Sequence, residues 1–117
     1  MSIAVELDEL RRKIDDIGTD PFLLTVNDDG RSHSVAVAVR WDGDELVVSA
    51  GRRTRANASV RPLVVLLWPP PGRGEFSLIV DASVRATGDA EVRLRPTRAV
   101  LHRPAPSGDG SDCATVL

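Results

Sequence analysis

Leu46-Val47-Val48-Ser49-Ala50-Gly51-Arg52-Arg53-Thr54-Arg55-Ala56-Asn57-Ala58-Ser59-Val60-Arg61 changes character twice within one short stretch. It opens on Leu and Val, which favour strands. It breaks at Gly51, where the chain can turn without a Cβ. It then sets Arg52, Arg53 and Arg55 around Thr54, where a short helix can start with Thr54 as its N-cap. A helix start presents unpaired N–H groups and the positive end of the helix dipole. Three guanidiniums, a hydroxyl and that helix start suit a phosphate. A solvated basic turn with no ligand is the plainer alternative. Pro62 stops the helix near Val60.

Outward from this stretch the pattern is that of strands and tight turns. Pro21 to Asn27 reads as a first strand, and Asn27-Asp28-Asp29-Gly30 as a hairpin turn. Arg31 to Trp41 reads as a second strand. There Val35, Val37 and Val39 alternate with Ala36 and Ala38, which predicts cover on both faces. Asp42-Gly43 is the next turn, leading into the third strand at Leu46. The wholly apolar run Leu63 to Trp68 predicts a central fourth strand. Phe76 to Thr87 is long enough to need a bulge or bend. Ala90 to Arg95 is the sixth strand, ended by Pro96, and Thr97 to Arg103 is one more short strand or a docked segment. Ile3, Leu7, Leu10, Ile14 and Ile17 recur at helical spacing, so a helix is expected over 3–17, capped by Ser2 and ended by Gly18.

Composition narrows the function classes. A chain of 117 residues is one domain. The expected boundaries are 1–103 for the domain and 104–117 for a loosely held tail rich in Pro, Gly, Ser and Asp. Cys113 is the single cysteine, so no disulfide framework or zinc motif is present. No apolar run approaches a membrane span, and acids stand where a signal peptide needs bases, which predicts a soluble cytoplasmic protein. The net charge of −2 hides an asymmetry: residues 1–51 carry 11 acids and 5 bases, residues 52–103 carry 4 acids and 10 bases. That argues against a general nucleic-acid binder and permits a local site for a small anion. His33 and His102 lack partners at metal-ligand spacing, and no nucleophile triad or Gly-rich nucleotide loop is present. Neither a metal site nor a catalytic side chain is therefore expected, and any enzymatic reaction must be carried by a cofactor.

The order of these pieces resembles the pyridoxamine 5′-phosphate oxidase-like split barrels, and among them the small actinobacterial flavin and deazaflavin oxidoreductases. The resemblance rests on Leu23 to Arg31, Trp41 to Leu46, Gly51 to Arg55 and Arg61 to Leu67, and covers roughly residues 20–95. It implies a mainly β fold, a six-stranded antiparallel split β-barrel with an N-terminal helix and a short helix after the third strand. A barrel of this size is filled by its own side chains, so a ligand must sit outside it or between subunits. The family's solution is a homodimer with cofactors in clefts between the barrels. What the resemblance implies about activity is hydride transfer to or from a small-molecule substrate, through the deazaflavin coenzyme F420 or, alternatively, FMN. It implies cofactor binding by Ser49, Thr54 and Arg55, with Thr54 and Arg55 matching the hydroxyl–Arg pair that holds the phosphate; Arg52 and Arg53 are expected to join this site and to compensate for a Lys that is absent here. The small Ala36 and Ala38 would let a flavin-type ring approach the backbone. Three departures leave a second function class open, a non-catalytic split barrel that binds a flavin-like or other anionic ligand, or none. The family's usual Lys is Ala56 here, the segment from Ala56 to Pro62 is about two residues short, and the extended C-terminal region is missing.

Overall fold

The computed structural model describes residues 1–105; the tail expected at 104–117 lies outside them beyond Ala105. Among the described residues eight strands and two α-helices follow one another. They are β1 (Ser2–Val5), α1 (Leu10–Ile17), β2 (Phe22–Val26), β3 (Ser32–Ala36), β4 (Val39–Asp42), β5 (Glu45–Ser49), α2 (Arg52–Val60), β6 (Leu63–Trp68), β7 (Ser77–Thr87) and β8 (Glu91–His102). All strand pairs are antiparallel, in the order β3-β2-β6-β7-β8-β5-β4, with β1 on β8. The mainly β class agrees with the sequence. The strand count does not, since eight strands replace the expected six.

The first extra strand comes from the expected second strand, 31–41, which is two. β3 pairs with β2 and β4 pairs with β5, at opposite ends of the sheet order, with Val37 and Ala38 between them. The Val37 N–H donates to Pro21 O at 3.0 Å, and the Ala38 O accepts from the Ser49 N–H at 3.3 Å. One residue thus belongs to each side, and this corner closes the sheet on itself. Val35, Val37 and Val39 turn inward while Ala36 and Ala38 are exposed. Cover on both faces is therefore not found within one chain. At the flanking turns, Gly30 (φ 85°) and Gly43 (φ 63°) hold backbone conformations that favour glycine.

The second extra strand comes from the N-terminus. Ser2 to Val5 is extended and pairs with Ala99 to His102, so α1 starts only at Leu10, after a single 3-10 turn. Ser2 caps nothing; its hydroxyl is 3.0 Å from His102 Nδ1. The free edge of β8 offers Ile3 and Val5 a ladder, and β-branched residues fit a strand at least as well as a helix. The helical part of the pattern holds farther on, where Leu10 and Ile14 enter the core.

Pro96 does not end the sixth strand but sits inside β8, opposite Ala82. The register slips there: Asp81 faces Arg98 and Ala82 faces Pro96, leaving Thr97 over. The Thr97 hydroxyl donates to Asp81 O at 3.1 Å and fills the bulge. A second slip between Val84 and Ala86 leaves Arg85 over and bends β7, as its length required. The core is Leu and Val from the inward faces: Leu23, Leu46, Val48, Leu66, Leu78, Val80, Val92 and Leu94, closed by Trp68. On the outer face Val47 is only 1% exposed, since its register partners Arg40 and Arg93 flank it and can cover it with their alkyl stems.

Helix α2 plugs the barrel end at which β5 finishes. Thr54, Asn57 and Ala58 are its buried face. Asn57 donates from Nδ2 to Thr25 Oγ1 at 3.1 Å and to Asn27 Oδ1 at 2.8 Å. Just beyond the helix, Arg61 donates from Nε to Val26 O at 2.8 Å and from Nη2 to Asp28 Oδ1 at 2.7 Å. The hydrogen bond and then the charge of Arg61 hold the Asp28 carboxyl below its ordinary value of 3.8; Arg53 adds to this and desolvation opposes it. No helix among the described residues is long and apolar enough to cross a membrane.

Two predictions follow from this clamp. Asn57→Ala leaves the buried Thr25 hydroxyl without its donor and should cost about 1–3 kcal/mol, read as a lower urea midpoint with an unchanged slope. Because the folded-state pKa of Asp28 is depressed, its contribution is present above the unfolded pKa and lost as pH falls through the folded one. Wild type and Asp28→Asn should therefore differ in urea midpoint at pH 7 and converge below the folded-state pKa, which lies under 3.8. A difference that persists in acid would exclude the Asp28–Arg61 bond as its source.

Candidate functional site

β5 ends at Ser49, whose side chain is exposed, and three residues later the chain enters α2. The N-cap is Gly51 rather than Thr54, in extended conformation and without a side-chain cap. The first intrahelical bond runs from the Arg55 N–H to Gly51 O at 3.0 Å. The N–H groups of the first turn before it have no partner within the helix. No acid stands in that first turn, so the positive end of the helix dipole is reinforced by arginine and not neutralised.

The five residues singled out from the sequence are brought to one end of the barrel but not into one role. Arg52 and Arg53 are exposed and form no ion pair among the described residues. Arg53 lies near enough to Asp28 for its charge to lower that carboxyl. Thr54 is 2% exposed and faces the barrel with Asn57. Arg55 is half-buried and folds back on the backbone, donating from Nε to Ala50 O at 3.1 Å and from Nη1 to Gly88 O at 3.3 Å. It therefore ties α2 to the end of β5 and to the β7–β8 turn. Ala56, where the family's Lys would stand, is exposed on the helix.

Beside Ser49 the outer surface is shallow. A depression of about 120 Å3 is lined by Ala38, Val39, Arg40, Val47 and Ser49. It holds a few atoms, not a flavin-type ring, so a large ligand here needs a further wall. The cavities of about 370 and 320 Å3 are lined by α1 residues and by none of the five. The exposed Ala36 and Ala38 do lie on this outer side, as an approaching planar ring would require.

Next to the corner runs an apolar outer face. Phe22 (39%), Val26 (37%) and Leu63 (78%) are exposed, and Leu24, Val65, Leu67 and Ile79 are half-buried between them. The register makes them neighbours, Phe22 beside Leu67 and Leu67 beside Ile79, with Leu24 beside Val65. Contiguous exposed apolar patches are uncommon on the surfaces of monomeric proteins. The sequence reading missed this face because it took 63–68 only as a wholly apolar central strand. It also missed Asn57 and Arg61, polar residues whose partners lie some thirty positions away.

No family model matches the chain. A solved F420 reductase shares its fold at a TM-score of 0.56, with 19% identity, covering 68% of this chain and 87% of that one. Two curated relatives are the uncharacterized proteins Mb0449c of Mycobacterium bovis and MT0457 of Mycobacterium tuberculosis. Each is 40% identical over 100 residues, spanning 72% of this chain and 70% of the relative. Identity at that level across most of both chains leaves a shared fold and descent as the explanation, and the chain belongs to the same family as these mycobacterial proteins.

Proposed function

We propose that this protein is an oxidoreductase that binds a flavin-type cofactor, the deazaflavin F420 in preference to FMN, by its phosphate at the start of α2. The observation that carries this reading is the pair of exposed guanidiniums of Arg52 and Arg53, without an ion pair among the described residues, on an uncapped helix N-terminus beside the exposed Ser49. The barrel fold shared with an F420 reductase supports it. The donor set fits a phosphate: Arg52 and Arg53 supply charge, the first-turn N–H groups supply fixed donors, and Ser49 supplies a hydroxyl. Arg55 contributes with the donors left free by Ala50 O and Gly88 O. Thr54, inside the helix face, orients the first turn by packing.

When bound, the flavin-type ring supplies the hydride chemistry, and the chain supplies binding, orientation and exclusion of water. The shallow depression by Ala38 and Ser49 gives one wall. A second copy of the chain gives the other, docked through the apolar face around Phe22, Leu63 and Leu67. Burial of such a face in a symmetric dimer follows the commonest oligomeric arrangement. A small-molecule substrate would enter the same cleft.

A second reading has its own support. Arg55 is already hydrogen-bonded to two carbonyls, Thr54 is buried, and Ala56 removes one cation. A phosphate held by Arg52 and Arg53 alone would serve a non-catalytic binder of a flavin-like or other anionic ligand.

Fluorescence titration with F420 and with FMN tests the cofactor site, and hydride transfer by the loaded protein separates the two readings. Saturable binding of F420 supports the oxidoreductase and should weaken by about 1.5–3 kcal/mol in Arg52→Ala. Ala56→Lys, at an exposed helical position, should tighten it by about 1 kcal/mol by restoring one charge near the anion. Binding of neither cofactor by wild type or by Ala56→Lys would sink the oxidoreductase reading.

A further inference from the structure

The outer edge of β8 carries two strands with a gap between them. β5 pairs with residues up to Leu94 and β1 with residues from Ala99 onward, so Arg95 to Arg98 meet neither. Pro96 suits such a stretch, because it has no N–H to leave unpaired. Over the gap lies a cavity of about 370 Å3, within the size range of small-molecule sites. Its apolar walls are Leu7 and Leu10 from the approach to α1, Trp41 from β4 and Pro96 from β8.

Two guanidiniums, an indole and two carboxylates line this cavity. The Arg11 guanidinium stacks over the Trp41 ring at 4.6 Å and gives one hydrogen bond to Gly43 O at 2.7 Å. It forms no ion pair among the described residues, and a guanidinium has five N–H donors to place. The Trp41 Nε1–H is itself buried and meets no partner among the described residues, so the indole offers the cavity its ring. Arg95 lies 3.6 Å from Asp44, and both are largely exposed, so that pair is weak. Asp8 and Asp44 are exposed. A ligand that completes this set has a flat apolar body and carries acceptors.

We propose that this cavity is a binding site for a small aromatic carboxylate. Its ring lies among Leu7, Leu10, Trp41 and Pro96, and its carboxylate meets Arg11 and Arg95. The site is separate from the α2 end of the barrel and stands whether or not a cofactor binds there.

Benzoate is the probe, titrated into the isotopically labelled full chain and followed by nitrogen–proton NMR. The chain has two tryptophans, so two indole N–H signals are expected, and Trp41→Phe assigns them. Benzoate should move the Trp41 signal saturably and leave that of Trp68, which is wholly buried in the core, in place. Benzyl alcohol, with the ring but no charge, and acetate, with the charge but no ring, should each bind at least about tenfold more weakly. Arg95→Ala should weaken benzoate by roughly tenfold, the loss expected for one charge-assisted hydrogen bond. Leu7→Asp, at a position already half exposed, should abolish binding by placing a like charge on the wall. An absent or unsaturable shift, an equal response to benzyl alcohol, or unaltered affinity in both variants overturns the proposal.

Discussion

Both ends of this molecule hang on one strand. β8 pairs along its length with β7 on one side, and on the other it serves β5 with its first residues and β1 with its last. β5 leads directly into α2, and β1 leads into α1. The placement of both helices therefore depends on how β8 divides its free edge. The bulge at Thr97 and the proline at 96 fall where that edge changes hands. An unbroken ladder there would have required one partner strand to run the whole length. Two short strands with a gap let the sheet curl more tightly and leave room for a cavity above Pro96.

Helix α2 shows how a polar clamp frees charge elsewhere. Its own buried face is modest, a threonine, an asparagine and an alanine. Its position is set instead by hydrogen bonds at both ends: Arg55 to Ala50 O and Gly88 O, Asn57 to Thr25 and Asn27, and Arg61 to Val26 O and Asp28. A buried asparagine with two good partners discriminates strongly against other docking positions, because any shift strands its amide. With Arg55 and Arg61 committed to the scaffold, Arg52 and Arg53 remain exposed at the helix start. Their charges point away from the core at no desolvation cost, and the uncapped N–H groups beside them reinforce the same sign.

Several elements were legible because their signals are local. The apolar run Leu63–Trp68 became β6 with the expected bounds. The turns at Gly30 and Gly43 needed only their own backbone angles. α2 ended at Val60, just before the disfavoured residue preceding Pro62. The less legible elements are those whose signal is ambiguous until a partner is present. Ile3 and Val5 fit the helical spacing and also a strand, and the vacant edge of β8 decided between them. Pro96 is a strand breaker unless its edge is unpaired, which no local pattern reveals. Thr54 has the chemistry of a cap, but the helix begins earlier, since its apolar methyl and the Asn57 and Ala58 positions one turn on make a better buried face.

By itself the sequence determined the β-rich class, the turn positions, the basic helix start after β5 and the charge asymmetry between the two halves of the chain. These depend on residue type and on spacings of a few residues, where backbone preference and charge act directly. Only the tertiary structure decided that residues 32–42 are two strands at opposite edges of the sheet. The same holds for the apolar outer face left open by β2 and β6, for Asn57 and Arg61 holding α2, and for the gap in β8 that opens a cavity under Arg11 and Trp41. Apart from the two hairpins that hold β3 and β4, these join groups about thirty or more positions apart, and such contacts form only when the closed sheet brings its two ends together.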